Sequence, residues 1–140
     1  MSQALENLLN AQKYAMSIRP KVGGFPYLAE ALRAAGITRN IWQLPACQSL
    51  YLTKFGPVVQ QGSPLFLGPR EVPKFDREAL IRALRADQEG KSTFPEFIAA
   101  TWAAGVVKYE VDFEKRFCLY FGAAGEEYKE DYPAVEVAQR

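Results

Sequence analysis

The chain carries the same pattern twice, and this repeat constrains its fold more than any other feature of the sequence. The segments that start at Phe25 and at Phe94 align without gaps at a constant offset of 69 residues. The identical positions are Phe25/Phe94, Pro26/Pro95, Ala31/Ala100, Ala34/Ala103, Ala35/Ala104, Gly36/Gly105, Leu50/Leu119, Tyr51/Tyr120, Gly56/Gly125 and Pro64/Pro133. A proline early in a helix and a glycine just after its end mark where the helix starts and stops. Most of these positions therefore indicate the fold and not the function.

Each copy predicts two helices followed by three strands. In the first copy, helical spacing follows Ser2, and a second helix runs from Pro26 to Gly36. The apolar period then changes to two, which indicates strands over 37–44, 49–55 and 58–61. The second copy repeats this order, with helices over 77–89 and 94–104 and strands over 106–113, 117–121 and 126–132. The predicted fold class is α+β, an internally duplicated helix-helix-strand-strand-strand unit in a pseudo-twofold arrangement with antiparallel hairpins.

The repeats are expected to share one core. A unit of roughly 65 residues would be marginal alone, because a small domain buries too little of its surface. The composition, 49% hydrophobic and 13% aromatic, is typical of a packed globular domain. We therefore predict a single domain over 1–140, made of repeats at about 1–64 and 74–133 and joined by a Pro/Gly linker at 64–73.

The composition excludes several kinds of chemistry. The chain has no histidine, which rules out Ser-His-Asp and Cys-His catalysis and histidine zinc sites. Its two cysteines, Cys47 and Cys118, are too few for a four-cysteine metal site, and no Gly-rich phosphate loop is present. The sequence therefore predicts no catalytic residue, no metal and no cofactor.

Charge and hydropathy bound the location and the partners. No apolar run is long enough to span a bilayer and no secretory signal is recognisable, so we expect a cytoplasmic protein with free thiols and no membrane contact. Residues 1–68 carry six basic and two acidic side chains, and residues 69–140 carry eleven and fourteen. This split would support head-to-tail self-association, as in a homodimer, or a polar binding surface, and it also fits solvated surfaces alone. Without a strongly basic region, no nucleic-acid partner is predicted.

The strand pattern also predicts which residues face away from the core. Alternate residues of a strand point to opposite sides of a sheet, and the more apolar side is expected to meet the helices. This places inward Asn40, Trp42, Leu44, Leu50 and Leu52 in the first copy and Val107, Tyr109, Val111, Phe113, Phe117, Leu119 and Phe121 in the second. A basic residue and a tyrosine then recur on the outward face of both copies, as Arg39 with Tyr51 and Lys108 with Tyr120.

The predicted ligand-binding residues are Arg39, Tyr51, Lys108, Glu110 and Tyr120. The cations and the phenol hydroxyls are donors that suit an anion or another polar ligand. The same residues also fit a structural interpretation, in which an alkyl stem covers an aromatic ring across neighbouring strands. The sequence leaves both interpretations open.

Two functions are compatible with these observations. The first is a non-enzymatic cytoplasmic domain that binds a small molecule or a protein partner. The alternative is an enzyme that uses carboxylate, lysine or tyrosine chemistry in a cleft between the repeats, and its candidate residues are Lys108, Glu110, Asp112 and Tyr120. A deep pocket at the pseudo-twofold axis, lined by carboxylates of shifted pKa, would favour the enzyme, and a flat exposed sheet would favour the binding domain.

Residues 94–133 carry a more specific pattern, FPxF…AGVxxYxVD…YxGxxGExY. Its positions here are Phe94, Pro95, Phe97, Ala104, Gly105, Val106, Tyr109, Val111, Asp112, Tyr120, Gly122, Gly125, Glu126 and Tyr128. In this segment the chain resembles the uncharacterised YdfO/YbcV-like bacterial family, some members of which are labelled phage envelope protein. The first copy departs from the pattern, with Asn40 where Tyr109 stands and Gln43 where Asp112 stands. The resemblance implies a small α+β fold and transfers no catalytic residue.

Overall fold

The computed structural model describes residues 2–138, so residues 1, 139 and 140 of the predicted domain lie outside the described part. Within this range the chain forms four helices and six strands in the predicted order, which confirms the duplicated α+β unit. The elements are α1 Gln3–Ile18, α2 Phe25–Ala34, β1 Ile37–Gln43, β2 Gln48–Thr53, β3 Val58–Gln61, α3 Arg77–Gln88, α4 Phe94–Ala103, β4 Val106–Asp112, β5 Phe117–Gly122 and β6 Glu127–Asp131.

The helices begin where the sequence supplies caps. The Ser2 hydroxyl accepts a hydrogen bond from the Leu5 amide of α1 at 3.2 Å, which satisfies one of the free donors of the first turn. Thr93 and Glu96 form the reciprocal capping box of α4, as their three-residue spacing indicates. The equivalent start of α2 has Gly24 and no side-chain cap. No helix in residues 2–138 is long and apolar enough to cross a bilayer.

All six strands form one antiparallel sheet in the order β3-β2-β1-β4-β5-β6. The equivalent strands β1 and β4 therefore pair at its centre. In their register Ile41 lies opposite Glu110, and these two positions are 69 residues apart. The pseudo-twofold axis passes between them, as the internal repeat predicts.

The four helices pack on one face of this sheet. The buried core contains apolar residues of both helix pairs, such as Leu8 and Leu32 from the first repeat and Leu80 and Ile98 from the second. The Gly23 amide donates to the Gln88 carbonyl at 2.8 Å, which ties the turn after α1 to the end of α3. The molecule thus has two layers, with the core between the helices and the inner face of the sheet.

The hairpin register decides which residues reach this inner face. Residues directly opposite in an antiparallel pair share a face, and Tyr120 lies opposite Tyr109 whereas Leu119 lies opposite Glu110. In the first repeat Tyr51 lies opposite Asn40 in the same way. Both tyrosines are buried, so the prediction that they point outward is wrong.

The predicted inward position of the apolar side chains of β2 and β5 is wrong for the same reason. Each hairpin turn has four residues between its last paired residues, which are Gln43 and Gln48 in one repeat and Asp112 and Phe117 in the other. With a turn of this length, an even-numbered residue on one strand lies opposite an odd-numbered residue on the other. The half-buried side chains that consequently lie on the outer face of the sheet are Leu50, Leu52, Phe117, Leu119 and Phe121.

The third strands depart from the constant offset. Tyr51 pairs with Val58, whereas Tyr120 pairs with Tyr128, so the structural equivalents are 70 residues apart here. The gapless alignment therefore fails at β6. As a result Tyr128 shares a face with Tyr120, and Glu130 shares a face with Cys118.

Two equivalent glycines provide a stability test. Gly36 and Gly105 have φ values of +89° and +88°, so alanine is strained at both by about 1–2 kcal/mol. A Cβ at Gly36 would meet the flexible Lys54 side chain, whereas one at Gly105 would lie 2.5 Å from the Phe75 Cα. We expect Gly105→Ala to lower the free energy of unfolding by at least about 1 kcal/mol more than Gly36→Ala in urea denaturation. Equal losses of unfolding free energy in the two variants would show that the backbone near Phe75 moves to accommodate the added Cβ without a further loss of stability.

Candidate ligand-binding cavity

A cavity of about 830 Å³ lies between the helical layer and the sheet. All four helices and every strand except β3 contribute to its wall, and both repeats take part. Its floor includes Asn40 and Tyr109, which are equivalent residues on the two central strands. The cavity therefore lies at the pseudo-twofold axis, and its volume is typical of small-molecule sites, which run from about 300 to 1,000 Å³.

The floor has an aromatic side, which we call the aromatic row (Trp42, Tyr109 and Tyr120). These residues lie directly opposite one another on β1, β4 and β5. The Trp42 and Tyr109 rings are stacked with centroids 5.9 Å apart, and the Tyr109 and Tyr120 centroids are 5.5 Å apart. Phe94, at the start of α4, lies against Trp42 at 5.4 Å. This side of the floor presents ring surface to the cavity.

The other side of the floor, the mixed row, has smaller side chains. It consists of Tyr51, Asn40, Val111 and Cys118, which also lie directly opposite one another. The pseudo-twofold axis exchanges the two rows, so that Val111 is the equivalent of Trp42. The helices and strands around the cavity are arranged symmetrically, but the side chains of its floor are not.

The tyrosines of the floor are neutral hydrogen-bonding groups. Burial raises the pKa of Tyr109 and of Tyr120 well above the usual value, and these residues are only 7% and 6% exposed. Burial also raises the pKa of Tyr51, although hydrogen bonds with Gln12 and Ser49 oppose the rise. In residues 2–138 the Tyr109 hydroxyl has no hydrogen-bond partner, and it borders the cavity. Tyr109 therefore offers an unused donor to the cavity.

Two carboxylates of the wall differ in their surroundings. Burial raises the pKa of Asp87, against the opposing effects of the Arg19 charge and of Ser92, whose hydroxyl is 3.5 Å away. Burial alone would also raise the pKa of Glu130, but hydrogen bonds lower it overall. The donors to Glu130 are Arg85 at 2.6 Å, Gln88 at 2.7 Å and Tyr128 at 3.0 Å. The negative charge of Glu130 is thus stabilised by three hydrogen bonds, whereas the Asp87 carboxylate has only the long hydrogen bond from Ser92.

The structure does not bring the five predicted site residues together. Tyr51 and Tyr120 line the cavity. Arg39, Lys108 and Glu110 lie on the outer face of the sheet, where Arg39 and Lys108 both form ion pairs with Glu110. The pairing of a cation with a tyrosine on one face is therefore wrong. A ligand-binding role for each of the five residues stays a prediction.

The outer face carries no helix in the described part of the chain. Besides the ion pairs, two cations cover aromatic rings: the Lys108 Nζ lies 4.5 Å from the Phe121 ring and the Lys129 Nζ lies 4.6 Å from the Phe117 ring. These contacts match the structural interpretation of alkyl stems over rings, with different partners. The protein partner and the homodimer stay predictions.

The residues expected for an enzyme are also separated. Of Lys108, Glu110, Asp112 and Tyr120, only Tyr120 lines the cavity. Asp112 shapes the β4–β5 turn, since its carboxylate accepts hydrogen bonds from the Glu114 and Lys115 amides at 3.0 and 2.9 Å. Among residues 2–138, no group of three or more cysteine or acidic side chains is arranged to hold a metal ion.

The matching family and relatives have no assigned function. A family model described as "Protein of unknown function (DUF1398)" matches residues 18–130. The chain belongs to this family. Uncharacterised proteins of Mycobacterium bovis and of two Mycobacterium tuberculosis strains are each 57% identical to it over 136 residues, which is 97% of this chain and 83% of each relative. The uncharacterised bacterial family is thus confirmed, while the YdfO/YbcV-like grouping and the phage label stay predictions.

In this DUF1398 protein, several residues of the cavity wall were not predicted as site residues. Tyr109 and Trp42 are predicted only to point inward, and no sequence motif marks Asp87 or Arg19. Their equivalents in the other repeat are Asn40, Val111, Ile18 and Gln88. The sequence signal at these four positions is a difference between the repeats, although the wall also contains the identical pairs Phe25/Phe94 and Tyr51/Tyr120.

The buried thiol of Cys118 generates a pH prediction. Burial raises its pKa from 9.0 to about 12, so above pH 9 the unfolded chain ionises this thiol and the folded chain does not. The stability that it contributes is complete below pH 9 and falls above it. We expect wild type to lose about 1.4 kcal/mol more than Cys118→Ser between pH 8 and pH 10 in urea unfolding. Serine is suitable because Ser49 fills the equivalent buried position. Equal losses would contradict the assignment.

Proposed function

We propose that this protein binds a small organic molecule, without turnover, in the cavity between its repeats. The observation that carries the proposal is the Tyr109 hydroxyl, a donor on a residue only 7% exposed that borders an 830 Å³ cavity and has no partner in residues 2–138. No fully buried side-chain nitrogen or oxygen of the described residues lacks a hydrogen-bond partner, so the Tyr109 hydroxyl itself is accessible from the cavity. A ligand with a hydrogen-bond acceptor at this point would take up the free donor.

The wall supports a largely apolar ligand. Ring surface from Trp42 and Phe94 lies on one side, and Leu28, Leu32 and Val111 contribute aliphatic surface elsewhere. Small-molecule sites combine a mainly apolar wall with a few placed polar groups. Most of the wall is held by helices and strands, so little ordering of the protein would oppose binding.

The asymmetric floor supports a ligand with two different ends. The aromatic row suits a flat ring, and the mixed row leaves more room because Val111 and Asn40 are smaller than Trp42 and Tyr109. The positions that the repeats share are mostly helix starts, helix stops and core. Tyr51 and Tyr120 recur in the floor, whereas Trp42/Val111 and Tyr109/Asn40 differ, and such a difference is expected where each half contacts a different part of one ligand.

The enzyme alternative is favoured by the cavity at the pseudo-twofold axis and by two carboxylates of its wall, since the pKa of Asp87 is raised and that of Glu130 is lowered. Acid–base chemistry needs a group at the reacting atom and a second group to complete the transfer. The expected partners Lys108 and Glu110 lie on the opposite face of the sheet. We therefore propose binding in place of catalysis.

The binding prediction uses the neutral fluorescent probe N-phenyl-1-naphthylamine. We expect saturable binding to wild type and at least about tenfold weaker binding to Val111→Trp, because the larger ring fills the roomier side of the floor. The equivalent strand position carries Trp42, which makes tryptophan the matched substitution at this position. Fluorescence titration measures the affinity, and circular dichroism and thermal unfolding check the fold of each variant.

The matched control is Leu119→Trp, which places the same ring on the outer face and should leave the affinity unchanged. The double variant Arg39→Gln/Lys108→Gln is a second outer-face control. Tyr109→Phe removes one hydroxyl without filling the cavity, and should weaken binding only of probes that carry an acceptor. Failure of wild type to bind, or equal weakening by Val111→Trp and Leu119→Trp, would exclude the cavity as the site.

A further inference from the structure

The wall of the cavity combines many aromatic rings with one poorly compensated carboxylate. Nine aromatic side chains border the space, among them Trp42, Phe94 and Tyr109. The face of an aromatic ring carries partial negative charge and attracts organic cations within about 6 Å. This composition distinguishes the cavity from a purely aliphatic one, which would not respond to the charge of its occupant.

Asp87 adds a formal negative charge at the end of α3. It is half-buried, and no Lys or Arg of residues 2–138 forms an ion pair with it within 4 Å. Its carboxylate accepts a long hydrogen bond from the Ser92 hydroxyl at 3.5 Å, and Arg19 acts on it only through its charge, without an ion pair within 4 Å. A carboxylate removed from water in this way is stabilised by a positive charge that enters the cavity.

The other acidic residues of the wall do not share this property. Glu130 is held by Arg85 at 2.6 Å, and Asp131 is exposed with Lys129 at 3.8 Å. Arg19 is the one basic residue of residues 2–138 that lines the cavity, so acidic side chains outnumber basic ones there. The uncompensated charge is therefore that of Asp87.

We propose that the occupant of the cavity is a lipophilic cation, an organic molecule with a delocalised or substituted positive charge on an apolar body. This inference rests on the proposed function and adds the charge of the ligand. The apolar body would contact the aromatic row and the aliphatic wall. The positive charge would lie between the ring faces and the Asp87 carboxylate. The Tyr109 hydroxyl would be available to an acceptor on the same molecule.

The test compares tetraphenylphosphonium with tetraphenylborate, which have nearly the same shape and opposite charge. We expect the cation to bind wild type at least about tenfold more tightly than the anion in isothermal titration calorimetry, because ring faces and a carboxylate together favour positive charge. This comparison requires no variant, so a folding defect cannot affect it.

A matched pair of variants assigns the charge to Asp87. Asp87→Asn keeps the shape of the side chain and should weaken tetraphenylphosphonium binding about fivefold or more, while binding of the neutral N-phenyl-1-naphthylamine stays the same. Glu89→Gln makes the same charge change two residues away, at an exposed position outside the cavity wall, and should change neither. Equal effects of the two substitutions on cation binding would overturn the role of Asp87.

The outcomes separate the two proposals. Binding of the neutral probe together with equal or tighter binding of the anion would overturn the charge inference and leave the small-molecule function in place. Absence of binding by all three probes would overturn both. Tighter binding of the cation, reduced by Asp87→Asn and unaffected by Glu89→Gln, would support both.

Discussion

The antiparallel pairing of β1 with β4 is the contact on which the rest of the fold depends. It joins two three-stranded halves into one sheet, with Ile41 opposite Glu110 at the axis. Without it each half would expose an unpaired strand edge, and each helix pair would cover only half of a core. The same pairing sets the helix pairs on either side of the axis. The space that they leave above the central strands is the cavity, so fold and candidate site have one origin.

The sequence predicts the elements of this fold well because their signals are local. Thr93 and Glu96 mark the start of α4 within four residues, and Gly105 marks its end. The faces of β2 and β5 are not local properties. Both sides of β5 are apolar enough to be buried, since Leu119 and Tyr120 are neighbours. Turn length decides between them, and a difference of one residue exchanges the faces.

The candidate site could be predicted only in part for a related reason. Recurrence selected Tyr51 and Tyr120, which do line the cavity, but it also selected Arg39 and Lys108, which do not. Residues that recur in both repeats are mostly those that both halves require for folding. Asp87 has no counterpart among the acidic residues of the first repeat, so a search for agreement passes over it. Its importance depends on burial and on the absence of a close cation, and neither is a property of the local sequence.

The unequal rows of the floor have a consequence for how any occupant is oriented. A truly symmetric cavity would accept a molecule in two equivalent poses, which favours binding by a statistical factor of two, about 0.4 kcal/mol. Here Trp42 faces Val111 across the axis, and Tyr109 faces Asn40. The two poses are no longer equivalent, and that factor is lost. In exchange the cavity distinguishes head from tail, a property that no dimer of identical repeats could have and that duplication within one chain makes available.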